Sequence, residues 1–226
     1  MINSLSASPL FGLVLTFGSY LIGLKIQQKL KSPLANPLII AAALSIALLL
    51  ALDIPLENYQ VGGQYITLFL GPATASLALS IYRQYSVLKQ NLIPVLAGTA
   101  VGSAVSMSSV LLLCRLFRLE EIMEKSLLAK SVTTAIAIEI TAQQGGLPSI
   151  TVAAVVITGI MGAVLSPYLI RLLGVTDKVA AGLAIGTASH ALGTTKALQI
   201  GEVEGAMSSI AIGVAGLITV LFAMFL

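Results

Sequence analysis

The feature that most limits this chain is a set of long apolar runs with almost no charge, at 36–54, 92–117, 149–173 and 205–226. A run of about 18 or more apolar residues reads as a helix that crosses a bilayer, because about 20 residues at 1.5 Å each match the hydrocarbon thickness. Further apolar stretches near 9–24, 64–82, 127–142 and 179–198 are shorter or carry internal polar residues. Charged residues make up 9% of the 226, against roughly 25% in a soluble domain, so this surface suits lipid rather than water. The expectation is an all-α integral membrane protein, a single domain over 1–226, with about six to nine membrane segments. The stretch from Arg115 to Lys130 is amphipathic enough for an interfacial helix.

The N-terminal stretch lacks the basic region and small-residue cleavage site of a secretory signal, so Pro9 to Leu24 reads as a retained membrane helix. A multi-pass protein of the bacterial plasma membrane is the simplest location. Flanking charge sets orientation. Lys25, Lys29 and Lys31 place the first loop inside, Asp53 and Glu57 place the next outside, and Arg83 with Lys89 place the following one inside.

Composition also excludes. The net charge of +3 comes without a basic run, which argues against a nucleic-acid partner. Cys114 and His190 are the single cysteine and histidine, so no intrachain disulfide, thiolate cluster or histidine-based metal site is expected. No G-x-S-x-G, H-E-x-x-H or P-loop occurs, and Lys130 beside Ser131 would put a serine–lysine pair on different helix faces. Neither enzyme chemistry nor a cofactor is expected.

The two halves resemble each other weakly. Gly71 to Leu77 aligns with Gly186 to Leu192, Gly98 with Gly213, and Pro37 with Pro148. This suggests repeats over 33–117 and 127–226, of the kind that places a transporter's binding site near the midplane. If 127–142 dips in and returns, the halves are inverted, Arg171 and Lys178 face the cytoplasm, and Glu202 and Glu204 face outside. If it crosses, the repeats are parallel and the two glutamates face the cytoplasm.

Three places interrupt apolar segments with polar or helix-breaking residues: Gly71-Pro72-Ala73-Thr74, Lys130-Ser131-Val132-Thr133-Thr134, and Gly186 to Lys196. Broken backbone is not tolerated against lipid, so such breaks are buried or line a wet cavity. Gly71, Pro72, Gly186 and Gly193 are the expected break points. The freed N–H groups at a half-helix, with hydroxyls and a Lys or His beside them, suit a small carboxylate. The candidate binding residues are Thr74, Lys130, Ser131, Thr133, Thr134, Thr187, Ser189, His190 and Thr194. Glu139 and His190 are the candidates for proton coupling, since an imidazole, or a carboxyl shielded from water, can exchange a proton near neutral pH. Each has a plainer reading. Gly98, Gly102, Gly159, Gly162 and Gly213 are packing residues, Lys130 and Lys196 can snorkel to headgroups, Glu139 can pair with a lysine, and His190 can close a helix gap.

At these same residues the chain resembles the LrgB/CidB family. The resemblance rests on Asn36-Pro37-Leu38, Leu70 to Thr74, Lys130 to Thr134 with Glu139-Ile140, Gly186 to His190 with Gly193-Thr194, and Gly201 to Ser208, and runs from about residue 33 to the C-terminus. Ala135 departs from a Thr-Thr-Pro-Ile-Ala pattern, which would soften the bend there. The resemblance implies two functions. One is antiholin-like control of murein hydrolases and lysis, with an LrgA/CidA-like membrane subunit as partner. The other follows the plastid glycolate/glycerate translocator, where an LrgA-like and an LrgB-like part are fused. The expectation is a secondary carrier, a homodimer by fold analogy, for small 2-hydroxy or 2-oxo monocarboxylates such as glycolate, glycerate or pyruvate.

Overall fold

The computed structural model describes residues 6–30, 37–69, 72, 75, 82 and 85–226. Among them ten helices and no strands are seen: α1 (Pro9–Leu30), α2 (Pro37–Ala51), α3 (Leu56–Thr67), α4 (Tyr85–Gln90), α5 (Leu92–Leu116), α6 (Glu121–Leu127), α7 (Thr134–Gln144), α8 (Pro148–Leu172), α9 (Lys178–Ile200) and α10 (Glu202–Ala223). Four of them, α1, α5, α8 and α10, are 22 to 25 residues long and apolar enough to span a membrane. Their outward faces are apolar, with Ile93 and Leu172 each 80% exposed. The all-α, multi-pass reading holds at this level.

Two boundaries differ from expectation. The stretch 36–54 yields a helix of only 15 residues, because Asp53 takes a positive φ of 48° and ends it. The stretch 9–24 instead continues to Leu30 and is long enough to cross. The chain forms two compact units, Met1–Thr74 and Ala75–Leu226. In the first, α1 packs on α2 and α3 around Leu15, Leu49 and Ile54. Gly12 lets the α3 backbone approach so closely that an added Cβ would lie 2.5 Å from the Tyr59 carbonyl. Ser45 bonds Ser19 at 3.2 Å, and Thr16 meets the Tyr59 hydroxyl at 2.9 Å.

The second unit is built around α10, whose buried residues run from Glu204 to Thr219. On α9, Gly182 abuts Glu204 and Gly186 abuts Ser208, so the first arm (178–188) runs parallel to α10. Thr194 bonds Ser208 at 2.7 Å and Gly205 abuts Leu198, so the second arm (191–200) runs antiparallel to it. The chain therefore reverses at Ser189 (φ −135°, ψ 15°) and His190 (φ 42°, ψ −141°), and α9 is a hairpin of two short helices rather than one span. Helix α5 runs parallel to the first arm, with Gly98 near Leu183 and Gly102 against Thr187. Val95, Leu183, Met207, Ile210 and Ala211 form the core these three elements share.

A second reversal precedes α8. Helix α7 lies along α10, with Ile136 against Gly216 and the Gln144 side chain donating to the Ala223 carbonyl at 3.1 Å. The 11 residues of α7 reach about 16 Å, half of a bilayer core. Ser131, just before it, meets Ser106 in the middle of α5. So α6 and the 128–133 stretch descend from the Leu116 end, and α7 returns to that end. Gly145, at φ 78°, closes α7 with bonds from Gly145 N–H to Ala142 and Gly146 N–H to Thr141, the left-handed helix stop that frees the chain to turn into α8. Ser126 fastens this elbow: its hydroxyl accepts from Leu147 N–H at 2.7 Å and its carbonyl from Thr151 at 2.8 Å.

Three expectations are corrected here. Glu202 starts at the same end of the unit as Lys178, because α9 returns instead of crossing. The Arg115–Lys130 stretch contains only the seven-residue α6, with one ion pair, Lys125–Glu121. The bend before α7 is sharp despite Ala135, since Thr133 is extended (φ −62°, ψ 148°) and the helix begins at once at Thr134.

Candidate functional site

The polar breaks predicted at 130–134 and 186–196 become the tips of the two hairpins. A cleft of about 1070 Å³ lies against both, walled by α5, α8 and the first arm of α9. Its lining runs along α5 from Asn91 to Ser106, along α9 from Asp177 to Ser189, and along α8 from Ile157 to Ile170, and also includes Lys130 and Ser131. The cleft therefore extends from the Asn91–Asp177 end of the unit to the middle of α5 and α8, where the first tip floors it.

Lys130 is half-buried and its Nζ lies 3.2 Å from the Ser131 hydroxyl, which in turn meets the Ser106 hydroxyl at 2.8 Å. Among the described residues no carboxylate lies within ion-pair distance of Lys130. A cation at this depth without a counter-ion is a costly arrangement that an anion would relieve. Thr133 holds the N-cap position of α7 without a side-chain cap bond, and its own hydroxyl is buried and unpaired. Thr134 opens α7, half-buried. The first N–H groups of a helix have no internal acceptor and favour negative charge.

At the other tip, Ser189 bonds back to the Ile185 carbonyl at 2.8 Å and packs on Gly162 of α8. His190 is buried, and its Nε2 donates to the Val155 carbonyl at 2.9 Å. The ring lies in the notch left by Gly159, where a Cβ would come within 2.5 Å of it. A non-glycine residue at φ 42° and ψ −141° is strained by about 1–3 kcal/mol, so the imidazole's packing and hydrogen bond must hold it there. Gly186 and Gly193 do not form the break. Both are helical, and their missing side chains admit Ser208 of α10 and the Ser189 side chain respectively.

Lys130, Ser131, Thr187 and Ser189 thus meet on one cleft. His190 sits behind it, and Thr194 faces α10 through Ser208 and the His190 carbonyl. Glu139 is exposed on α7 and, among the described residues, makes no ion pair with a lysine. Lys196 is exposed and reaches Gln199 at 3.1 Å. Gly71 and Thr74 lie outside the described residues, and Pro72 is exposed. Sequence reasoning missed Ser106 and Ser166, which also line the cleft. Their signal is a hydroxyl inside an apolar helix, which packing residues share.

The profile of the LrgB-like family matches residues 16–226. The chain is 37% identical over 198 residues to "Uncharacterized protein YxaC" of Bacillus subtilis, covering 88% of this chain and 86% of that one. It is 34% identical over 214 residues to "Uncharacterized protein YwbG" of the same organism, covering 95% of each. It is 36% identical over 214 residues to "Antiholin-like protein LrgB" of Bacillus cereus, covering 94% of this chain and 93% of that one. No solved structure matches.

Proposed function

Because the chain belongs to the LrgB-like family, we propose that it is a membrane carrier for small 2-hydroxy or 2-oxo monocarboxylates, built on two helical hairpins that enter the bilayer from opposite faces. The observation that carries this reading is the meeting of both hairpin tips on one cleft beside an unpaired lysine. Each arm of either hairpin is roughly half a bilayer long. Each tip bears a basic residue followed within five residues by a threonine pair, Lys130 before Thr133-Thr134 at the head of α7 and His190 before Thr194-Thr195 within the second arm of α9. The inversion proposed joins 121–172 to 178–223 rather than the halves 33–117 and 127–226. Carriers of this kind hold their substrate where broken helices meet at mid-depth.

In this arrangement Lys130 and the head of α7 hold the carboxylate, and Ser131, Thr187 and Ser189 supply hydroxyls. His190 is a positioning residue, bracing the second tip on α8. The Arg83–Lys89 loop is the one expected inside, which makes the Lys89 end cytoplasmic and the cleft open inward; Arg171 and Lys178 at that end are matched by Arg115, Arg118 and Lys125 at the other. Tip 1, bonded to α5 through Ser131 and Ser106, closes the outward path. Outward opening requires that contact to part.

The name of the Bacillus cereus relative, antiholin-like, speaks for a second reading more directly: a regulator of lysis, which the family resemblance pairs with an LrgA/CidA-type subunit. Reconstitution separates the two. The carrier predicts saturable uptake of labelled glycolate, glycerate or pyruvate into proteoliposomes, reduced at least about tenfold by Lys130→Met, as expected when an interaction of 1.4 kcal/mol or more is lost. Altered autolysis in cells, with no saturable flux in vesicles and no sensitivity to Lys130→Met, would establish the regulator instead. Flux only with a co-reconstituted LrgA-like protein would make the partner part of the carrier.

A further inference from the structure

Several buried hydroxyls of this unit are satisfied within their own helix: Thr99 bonds back to the Val95 carbonyl, Ser189 to Ile185, and Thr194 to His190, and others pair across elements, as Ser131 does with Ser106 and Thr151 with Thr141. The local bonds satisfy a hydroxyl without any outside partner. Thr187 and Ser166 have neither kind of bond. They are 7% and 8% exposed, and neither hydroxyl has a hydrogen-bond partner. Both residues line the cleft, on the two helices that face each other across the second tip. An unpaired buried hydroxyl costs about 1–3 kcal/mol, which a ligand oxygen in the cleft would relieve.

Thr187, Ser166 and Lys130 line the same cleft. The Thr187 methyl packs on Gly102, one helical turn, about 5 Å, along α5 from Ser106, and Ser106 pairs with Ser131 beside Lys130. Ser166 stands one turn beyond Gly162, which carries the Ser189 contact.

We propose that Thr187 and Ser166 are specificity determinants that read the hydroxyl or oxo oxygen beside the substrate's carboxylate, admitting 2-hydroxy and 2-oxo acids over plain carboxylates. The inference rests on the carrier reading. A site that hydrogen-bonds a substrate oxygen rejects the analogue lacking it, because its own polar groups are then left unpaired. Lys130 supplies attraction common to every carboxylate, and the two hydroxyls supply the difference.

The test is the ratio of labelled glycolate to labelled acetate uptake by the full chain in proteoliposomes, with ligand-induced thermal shifts in detergent supplying the ratio where flux is small. The wild type prefers glycolate. Thr187→Val with Ser166→Ala lowers the preference at least about tenfold, chiefly through glycolate, while Thr187→Ser keeps it. A double variant that retains the wild-type ratio, whether its flux is high or low, overturns this assignment and leaves the carrier reading standing. A wild type that moves and binds neither acid overturns both.

Discussion

The notch that holds His190 gives the sharpest prediction, Gly159→Ala. The new Cβ would stand 2.5 Å from His190 Cε1 and 2.8 Å from both Nε2 and the Leu192 side chain. Ordinary carbon contacts begin near 3.5 Å, so the ring must retreat by about 1 Å. It cannot do so and keep its bond, since Nε2 already sits 2.9 Å from the Val155 carbonyl and a further ångström breaks it. The loss is about 1 kcal/mol for the bond plus about 1–3 kcal/mol for overpacking, or about 2–4 kcal/mol in all. Thermal unfolding of the purified protein in detergent reads this directly, and carboxylate flux should fall with it as the tip is displaced. In a His190→Ala background only the flexible end of the Leu192 side chain remains in the way, so the cost should shrink by most of that amount. Equal costs in the two backgrounds would refute the notch and the bracing role of His190.

The other close contacts give parallel tests. Gly186→Ala places a Cβ against the Ser208 carbonyl and 2.8 Å from its Cα; rigid backbone cannot yield, so a loss of about 2–4 kcal/mol is expected, whereas Gly63→Ala, with nothing within 4 Å, should leave the melting temperature unchanged or slightly raised. Paired Ser106→Cys and Ser131→Cys in a Cys114→Ser background replace hydroxyls 2.8 Å apart; oxidation should cross-link tip 1 to α5 and stop flux, and reductant should restore it. Failure to cross-link would place the tip elsewhere.

Much of this was legible in the residues. Apolar length marked the spanning helices α5, α8 and α10 but favoured 36–54 over α1, and polar interruptions marked both tips, because Lys130 to Thr134 and Thr187 to Thr194 have no reason to sit in lipid unless sheltered. Direction was not legible. The stretch 179–198 has the length of a crossing helix, and hydropathy is the same whether the chain passes through or turns back. Only the placement of Gly182 and Leu198 against the same end of α10 distinguishes the two. Ser106 and Ser166 were hidden for a related reason: a hydroxyl that bonds its own helix and one that lacks a partner look alike in a sequence.

The glycines misled in an instructive way. Gly186 and Gly193 flank the reversal, and glycine's freedom suggested that one of them makes it. Both instead serve close approach, while the reversal falls on His190 at φ 42°. A glycine at 190 would adopt that backbone without strain. Holding a histidine there makes sense only if its side chain returns more than the strain removes, and the bond to Val155 across the Gly159 notch is where that return lies. The tip is thus fixed by a side chain locked into α8, not left to a flexible hinge. The first tip is held differently: Ser131 bonds Ser106 of α5, while Ala129 and Val132 on either side of it pack with Val155 of α8, the same residue whose carbonyl takes the His190 bond.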